Sequence, residues 1–277
     1  LFTRCYRFTP FRSSMTDYFT LSAMSTSYEE RFVFSSESSS QLIYDEHLIR
    51  YRLAASLASG KRVLDVACGS GYGSKLLAEA GASLVKSVDI DEAVLEEARA
   101  NYSDNKIEFI ADSAETLEKI ADSSIDLVVS FETIEHLPDY HSYLKNLQRV
   151  LAPGGLALIS TPNKAVFAQK NPFHVKEFTR AELTDSLAQH FTQVRILDQV
   201  NGLGSMIKGD GEAIANLSNS GATQYFIAIC SNDTLPTNII GQASINQAAL
   251  HRWQNNPGWK MVNVVYKMLV AVGLIRR

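Results

Sequence analysis

Two glutamates and two histidines are the residues of this 277-residue sequence whose types and spacing could do chemistry together. Glu132, Glu135 and His136 are spaced i, i+3 and i+4, so on one helical turn they would point the same way. His174 follows in the run NPFHVKEF, just past a later apolar run. Carboxylates and imidazoles can bind a divalent metal or remove a proton from a reacting hydroxyl.

This pattern predicts one set of roles and leaves alternatives open. Catalysis is expected from His136, Glu132 and His174, and a site for Mg²⁺ or Mn²⁺ from Glu132, Glu135, His136 and His174. Without a metal, His136 would act as a base or line the pocket. Otherwise the four side chains would have purely structural roles.

A glycine-rich turn lies nearer the amino terminus, where residues 65–73 read DVACGSGYG. Glycine lets a ligand approach the backbone where a Cβ would block it. The dinucleotide fingerprint is G-x-G-x-x-G, but this run has its third glycine one residue early and lacks the lysine of a P-loop. Asp65 adds a negative charge that would repel a phosphate-bearing cofactor and attract an ammonium and a sulfonium. The turn therefore disfavours a nicotinamide-dependent oxidoreductase.

The elements that must position these residues alternate between short apolar runs and helical patterns. This alternation implies crossover connections and a doubly wound α/β fold with a seven-stranded, mostly parallel sheet. The linker 201–223 is rich in Gly, Ser and Asn, so the last two strands are expected to form an antiparallel hairpin. The predicted strands are 62–67, 84–88, 107–111, 125–131, 156–161, 194–200 and 224–231, and the predicted helices are 41–59, 76–80, 92–101, 140–151 and 179–189.

Acidic residues stand at the ends of the first three predicted strands. In open α/β sheets, ligands bind beyond the carboxyl ends of the strands. Asp89 closes the second strand, where an acid can accept hydrogen bonds from both hydroxyls of a ribose. Asp112 and Ser113 follow the third strand, where they could meet an adenine edge. Any one of these acids alone would be read as a solvated loop residue, but together with the glycines they predict a nucleoside-containing cofactor.

The runs VLDVACGSGYG, SVDID and ADSAETL resemble the first three motifs of class I S-adenosylmethionine-dependent methyltransferases. The runs FETIEHLPD, RVLAPGGLALISTPN and NPFHVKEFT extend the resemblance, which covers residues 29–231. It implies a Rossmann-like methyltransferase fold and S-adenosylmethionine as the cofactor. The cofactor-binding residues that it implies are Asp65, Ala67, Gly69, Ser70, Gly71, Asp89, Ile90, Asp112, Ser113, Ala114 and Phe131.

Finer resemblances bear on the acceptor. The runs ERF, EHLIRY and NPFHVKEF resemble a bacterial subgroup associated with polysaccharide biosynthesis, which implies O-methylation of a sugar hydroxyl in a glycan or glycolipid. The E-x-x-E-H run followed by a later His resembles the metal site of small-RNA 2′-O-methyltransferases and of ubiquinone-pathway O-methyltransferases. Leu137 replaces a further His of the small-RNA enzymes, so an RNA substrate is not inferred. A small-molecule methyltransferase for a quinone or other metabolite, and a non-catalytic cofactor-binding partner subunit, stay open.

Composition limits the partners and the compartment. Lys and Arg number 26 against 30 Asp and Glu, and the negative charge is concentrated in residues 24–233. Nucleic-acid backbones require clustered Lys and Arg, so no nucleic-acid partner is expected, and the acceptor is predicted to be a small molecule or a glycan. Cys5, Cys68 and Cys230 form no C-x-x-C pair, which favours a reducing, cytoplasmic location.

The two ends of the sequence differ from its centre. Residues 1–23 are rich in Arg, Ser, Thr and Phe, which predicts a disordered or non-native extension or an organellar transit peptide. Residues 24–233 are predicted to be the methyltransferase domain, and residues 234–277 a basic, apolar tail. The apolar run 261–275 would be about 22 Å long as a helix, too short for a hydrocarbon core of about 30 Å. The tail could dock on the domain, join a homodimer or contact a membrane surface.

Overall fold

The computed structural model describes residues 38–166, 171–201, 205–209, 212–213, 222–237 and 239. The extension 1–23 and the apolar run 261–275 lie outside these residues, so what the sequence predicts for both, and the domain boundaries with them, stays a prediction. Among the helices in the described part of the chain, none combines the length and the apolar character needed to cross a membrane.

Five helices and nine strands make up the described chain. The helices are Ser38–Ala58 (α1), Tyr72–Glu79 (α2), Glu92–Asn101 (α3), Tyr140–Val150 (α4) and Arg180–Ala188 (α5), and a short 3₁₀ helix spans Ile134–His136. The strands are Arg62–Val66 (β1), Leu84–Asp89 (β2), Ile107–Ala111 (β3), Ile125–Phe131 (β4), Leu151–Pro162 (β5), Gln193–Asn201 (β6), Ser205–Gly209 (β7), Glu212–Ala213 (β8) and Thr223–Ser231 (β9).

The strands form one sheet in the order β3-β2-β1-β4-β5-β9-β6-β7-β8. Strands β1 to β5 pair in parallel, whereas β9 runs antiparallel between β5 and β6. This arrangement confirms the predicted doubly wound fold with its terminal antiparallel pair. The change of strand order between β1 and β4 opens a crevice at the carboxyl ends of these strands, where ligands bind in such sheets.

The linker predicted over 201–223 is wrong in part, because β7 and β8 lie within it. β7 pairs antiparallel with β6, and β8 pairs with β7. Without β7, one edge of β6 would expose a row of unpaired backbone N–H and C=O groups. Ile207 in β7 is fully buried in the same core cluster as residues of α1, which anchors the added strand.

The sheet buries a core on each face because successive side chains of a strand point to opposite sides. Val63 of β1 belongs to the cluster under α1 and α2, together with Leu53 and Leu77. Leu64, the next residue, belongs to the cluster under α4 and α5, together with Leu147. Both faces of the central strands are therefore covered, which fixes the positions of their carboxyl ends.

Two of the helices begin at capping residues. Asp91 accepts a hydrogen bond from the Ala93 N–H at the start of α3. Thr179 and Glu182 form a reciprocal capping box at the start of α5. α2 begins at Tyr72 rather than at 76, because Gly71 adopts a left-handed conformation with φ 83° that turns the chain directly into the helix.

Candidate active site

The glycine-rich turn between β1 and α2 lies at the crevice. Ala67, Gly69 and Gly71 have φ of 57°, 54° and 83°, so three of its residues are left-handed. A Cβ on Gly69 would meet no atom of the described residues within 4 Å, whereas a Cβ on Gly71 would lie 2.9 Å from Cε1 of Phe109. Gly69 therefore lies next to open space that a ligand could enter, while Gly71 is required by packing against β3.

Asp65 is fully buried at the end of β1. Its Oδ1 accepts a hydrogen bond from the Tyr51 hydroxyl at 3.0 Å, and its Oδ2 accepts one from Ser74 Oγ at 2.7 Å. Burial raises the pKa of Asp65 to about 7, although the two hydroxyls act in the opposite direction. The family resemblance implies that Asp65 binds the cofactor, and in the structure its two carboxylate oxygens accept from Tyr51 of α1 and Ser74 of α2.

Asp89 and Asp112 occupy the next two strand ends, as the sequence predicted. Asp89 accepts from the Gly69 N–H at 3.0 Å and from the Asp91 N–H at 3.1 Å, which ties the glycine turn to β2. Asp112 accepts from the N–H groups of Ser113 and Lys119, both at 2.8 Å. Ile90, which follows Asp89 in the chain, is 73% exposed.

The remaining predicted cofactor residues lie around the same edge. Ser70 is partly exposed in the glycine turn, and Ala114 packs partly against the core below α4 and α5. Phe131 ends β4 and packs edge to face against Tyr51, with ring centroids 5.1 Å apart. The hydroxyl of Ser113 accepts a hydrogen bond from the Glu115 N–H.

Glu132 does not lie on a common helical turn with Glu135 and His136, contrary to the expectation from their spacing. It has φ 53°, a left-handed conformation that is uncommon outside glycine. Its Oε1 accepts from Ser160 Oγ at 2.7 Å, and its N–H lies 3.1 Å from the Ser160 carbonyl oxygen. Contacts to the neighbouring strand β5 therefore direct this carboxylate.

Glu135, His136 and His174 come together in one cluster. Each offers a ligand atom, and these atoms all lie within 4.8 Å of one another; Glu132 is outside this group among the described residues. His136 and His174 meet edge to face, and His136 Nδ1 lies 3.2 Å from the Phe173 carbonyl oxygen. The segment that carries His174 is held there because the N–H groups of Val175 and Lys176 donate to the Glu135 carbonyl.

Glu135 is fully buried. Its Oε2 accepts from Thr161 Oγ1 at 2.9 Å, whereas its Oε1 has no hydrogen-bond partner among the described residues. Burial and the nearby carboxylate of Glu132 raise the pKa of Glu135 well above its usual range. A buried carboxyl oxygen without a partner is costly, so this position calls for a further ligand or a proton.

Arg50 is a site residue that the sequence reasoning missed. Its guanidinium is fully buried; one nitrogen donates to Gln199 Oε1 at 3.0 Å and lies 3.8 Å from Glu132 Oε1. Its Nε and second terminal nitrogen have no hydrogen-bond partner among the described residues. The available signal was its place between Ile49 and Leu53 on the apolar face of α1, where a charged residue is unusual.

Residues 64–159 match the protein family described as a methyltransferase domain. This stretch, which is less than half of the chain, is similar to that domain. It runs from β1 into β5 and contains the glycine turn, the three strand-end acids and the Glu135–His136 part of the cluster. Arg50 and His174 lie outside the matched residues of the methyltransferase domain.

Curated relatives are similar to part of this chain. A Mycolicibacterium smegmatis protein named as an S-adenosylmethionine-dependent methyltransferase is 38% identical over 149 residues, which are 52% of this chain and 56% of the relative. A Neisseria meningitidis ubiquinone biosynthesis O-methyltransferase is 36% identical over 108 residues, covering 38% of this chain and 45% of the relative. The chain spans about half the length of the curated relatives it matches.

Solved structures share the fold. A Thermotoga maritima S-adenosylmethionine-dependent methyltransferase has a TM-score of 0.54 and 18% identity, covering 70% of this chain and 95% of that one. A Listeria monocytogenes protein of the same description has a TM-score of 0.52 and 14% identity, covering 69% and 100%. The described chain therefore has the Rossmann-like fold that the sequence predicted.

Proposed function

We propose that this chain transfers the methyl group of S-adenosylmethionine to the oxygen of a hydroxyl-bearing acceptor. The observation that carries the proposal is the adjacency of two sets of groups at one edge of the sheet. The glycine turn, Asp89 and Asp112 follow β1, β2 and β3, and the cluster of Glu135, His136 and His174 follows β4 and β5.

The residues at this edge fit S-adenosylmethionine by charge and by space. The open space beside Gly69 admits a ligand close to the backbone. Asp89 suits the ribose hydroxyls, and Asp112 with Ser113 suits the adenine edge. Arg50 supplies two buried donor groups that have no hydrogen-bond partner within the described part of the chain, and these suit the carboxylate of the methionine portion. When bound, the cofactor supplies an electrophilic methyl group on a sulfonium.

His136 is assigned the role of base. A carbonyl oxygen can only accept a hydrogen bond, so the contact of His136 Nδ1 with the Phe173 carbonyl places the proton on Nδ1. The lone pair then lies on Nε2, which could take the proton that an acceptor hydroxyl loses when its oxygen gains the methyl group and the methyl–sulfur bond breaks. His174 packs against the His136 ring and, with Glu132, lines the approach of the acceptor.

The same cluster fits a divalent cation such as Mn²⁺ or Mg²⁺, held by Glu135, His136 and His174. Each ligand has a supporting contact of the kind that orients metal ligands: Thr161 on Glu135, the Phe173 carbonyl on His136, and Glu177 at 3.4 Å from His174 Nδ1. The unpartnered Oε1 of Glu135 would gain a partner. Such an ion would lower the pKa of a hydroxyl bound to it.

Manganese binding tests the cation directly. We expect the full chain to bind Mn²⁺ in a titration followed by the electron paramagnetic resonance of the free ion. Glu135→Gln should weaken binding at least tenfold, because it replaces a ligand, whereas Glu132→Gln should retain it. Equal binding by wild type and Glu135→Gln would exclude this metal site and leave His136 as a metal-free base.

Two acceptor classes follow from separate observations. The resemblance of EHLIRY and NPFHVKEF favours a sugar hydroxyl of a glycan or glycolipid. The similarity to ubiquinone biosynthesis O-methyltransferases favours the phenolic hydroxyl of a quinol-type small molecule. Transfer of a radiolabelled methyl group from S-adenosylmethionine to sugar and to catechol acceptors, measured side by side, distinguishes them. Labelling of neither class, with intact cofactor binding, would favour a non-catalytic partner subunit.

A further inference from the structure

We propose that Tyr51 is a positioning residue that joins α1 to the glycine turn through Asp65, so that the turn holds its cofactor-binding shape only while α1 is docked. The inference rests on the proposed use of this turn for S-adenosylmethionine. It adds to that function a role for α1. Arg50 and Tyr51 of this helix come before residues 64–159, which match the family.

The ring of Tyr51 is held in one place by three neighbours. A Cβ on Gly73 would lie 2.0 Å from Cζ of Tyr51, so the ring packs directly against the backbone at the start of α2. Tyr72 and Phe131 pack edge to face on the ring, with centroids 5.3 and 5.1 Å away. Tyr51 therefore contacts the elements that follow the glycine turn and that end β4.

The hydroxyl of Tyr51 reaches the residue that leads into the turn. It donates to Asp65 Oδ1 at 3.0 Å, while Ser74 of α2 donates to Oδ2. Burial and the charge of Asp65 raise the pKa of Tyr51 well above its usual range, so the phenol keeps its proton and remains a donor. One buried carboxylate thus links α1, β1 and α2.

The turn after Asp65 needs such a support because Ala67, although not glycine, has φ 57°. Left-handed conformations of residues other than glycine persist only where the surrounding contacts hold them. The turn is held on one side by Asp89, which accepts from the Gly69 N–H, and on the other by the contacts of Asp65. Loss of the Tyr51 hydroxyl should therefore loosen the turn while the aromatic packing remains.

The ionisation of Asp65 separates the lost hydrogen bond from simple loosening of the fold, because loosening would expose the carboxylate and lower its pKa. The groups that face Asp65 are the hydroxyls of Tyr51 and Ser74, which lower its pKa, and the carboxylate of Asp89, which raises it. Removing the Tyr51 hydroxyl should raise the pKa of Asp65 further. Binding of a cofactor that carries an ammonium and a sulfonium should then weaken at a higher pH than in the wild type.

The test compares the wild-type chain with Tyr51→Phe and with the matched control Tyr102→Phe, which alters a tyrosine after α3. Hydrogen exchange of the cofactor-free protein is measured on peptides covering 46–58, 66–74 and 180–188. We expect faster exchange in the first two peptides of Tyr51→Phe alone and no change in the third. Unchanged exchange in 66–74 would overturn the proposal, whether or not any cofactor binds.

A second arm measures S-adenosylmethionine binding between pH 5.5 and 8.5. We expect Tyr51→Phe to bind about tenfold more weakly at pH 7, with the acid limb of its binding curve moved to higher pH. Wild-type affinity with an unmoved limb would contradict the proposal. If the wild type binds no S-adenosylmethionine, the proposed function fails, and the exchange measurement still decides the role of Tyr51.

Discussion

The imidazoles of His136 and His174 meet edge to face with their ring centroids 4.9 Å apart, although one follows β4 and the other follows β5. This contact exists because β4 and β5 are parallel neighbours, so their carboxyl ends open at the same edge of the sheet. The buried Glu135 lies next to the pair. A site that could bind a metal or move a proton is thereby placed beside the strand that carries the glycine turn.

We expect His136→Asn to lower the rate of methyl transfer by about 100-fold or more, since removal of a general base typically has effects of this size. The affinity for S-adenosylmethionine should stay within a few-fold of wild type. Rates are measured with saturating cofactor. His141→Asn, an exposed histidine on α4, is the matched control. If His136→Asn keeps the wild-type rate, the assignment of the base is wrong.

Arg50→Met should weaken binding of S-adenosylmethionine about tenfold or more, because a charge-assisted hydrogen-bond partner of the carboxylate is lost. The same variant should bind decarboxylated S-adenosylmethionine as the wild type does, and calorimetry with both ligands checks this. Arg52→Met, which alters an exposed arginine on the same helix, serves as the control. A similar loss of affinity for both ligands would show that Arg50 acts on the fold rather than on the carboxylate.

Gly69→Ala and Gly154→Ala separate cofactor access from backbone strain. Both glycines are left-handed, with φ 54° and 74°, and in the part of the chain that the structure describes no atom lies within 4 Å of an added Cβ on either. Each alanine should cost about 1–2 kcal/mol of unfolding free energy, measured by urea denaturation. Only Gly69→Ala should also weaken S-adenosylmethionine binding, because its Cβ enters the space beside the turn. Equal cofactor binding by the two variants would show that the cofactor does not bind beside Gly69.

Asp65→Asn should change the pH dependence of stability. Burial raises the pKa of Asp65 from 3.8 to about 7, so between these values the folded state holds a proton that the unfolded state has lost. The stabilisation of the folded state that this bound proton contributes is fully present below pH 3.8 and is lost as the pH rises through 7. Between pH 5 and pH 8, the unfolding free energy of the wild type should fall, and that of Asp65→Asn should fall by on the order of 2–3 kcal/mol less.

Urea denaturation at several pH values measures this difference. Asp185→Asn, which alters an exposed carboxylate on α5, is the control and should keep the wild-type pH dependence. Burial raises the pKa of Glu135 as well, so some pH dependence of the same sign should remain in Asp65→Asn. Identical slopes for wild type and Asp65→Asn would show that Asp65 is ionised in the folded state at pH 5.

The fold could be predicted because its signals are short-range. Val63 and Leu64 sit side by side in one apolar run and are buried on opposite faces, as a strand between two helical layers requires. The caps at Asp91 and Thr179 likewise involve residues two or three positions away. Local patterns of this kind are visible in one sequence.

The site was predictable only in part because several of its contacts are long-range. The spacing of Glu132 presumed a helical turn, but Ser160 of the neighbouring strand directs its carboxylate elsewhere. The buried Asp65 accepts a hydrogen bond from Tyr51, and the buried Arg50 donates one to Gln199 of β6. Which elements cover these residues follows from the packing of α1 on the sheet, and no local pattern specifies it.

Isothermal titration of S-adenosylmethionine and of NAD into the full chain, with and without Mn²⁺, tests the central claim most directly. We expect micromolar binding of S-adenosylmethionine and no binding of NAD, because the glycine spacing and the acids at the strand ends suit the former. Binding of NAD in preference, or of neither ligand, would contradict the proposal that this chain is an S-adenosylmethionine-dependent methyltransferase.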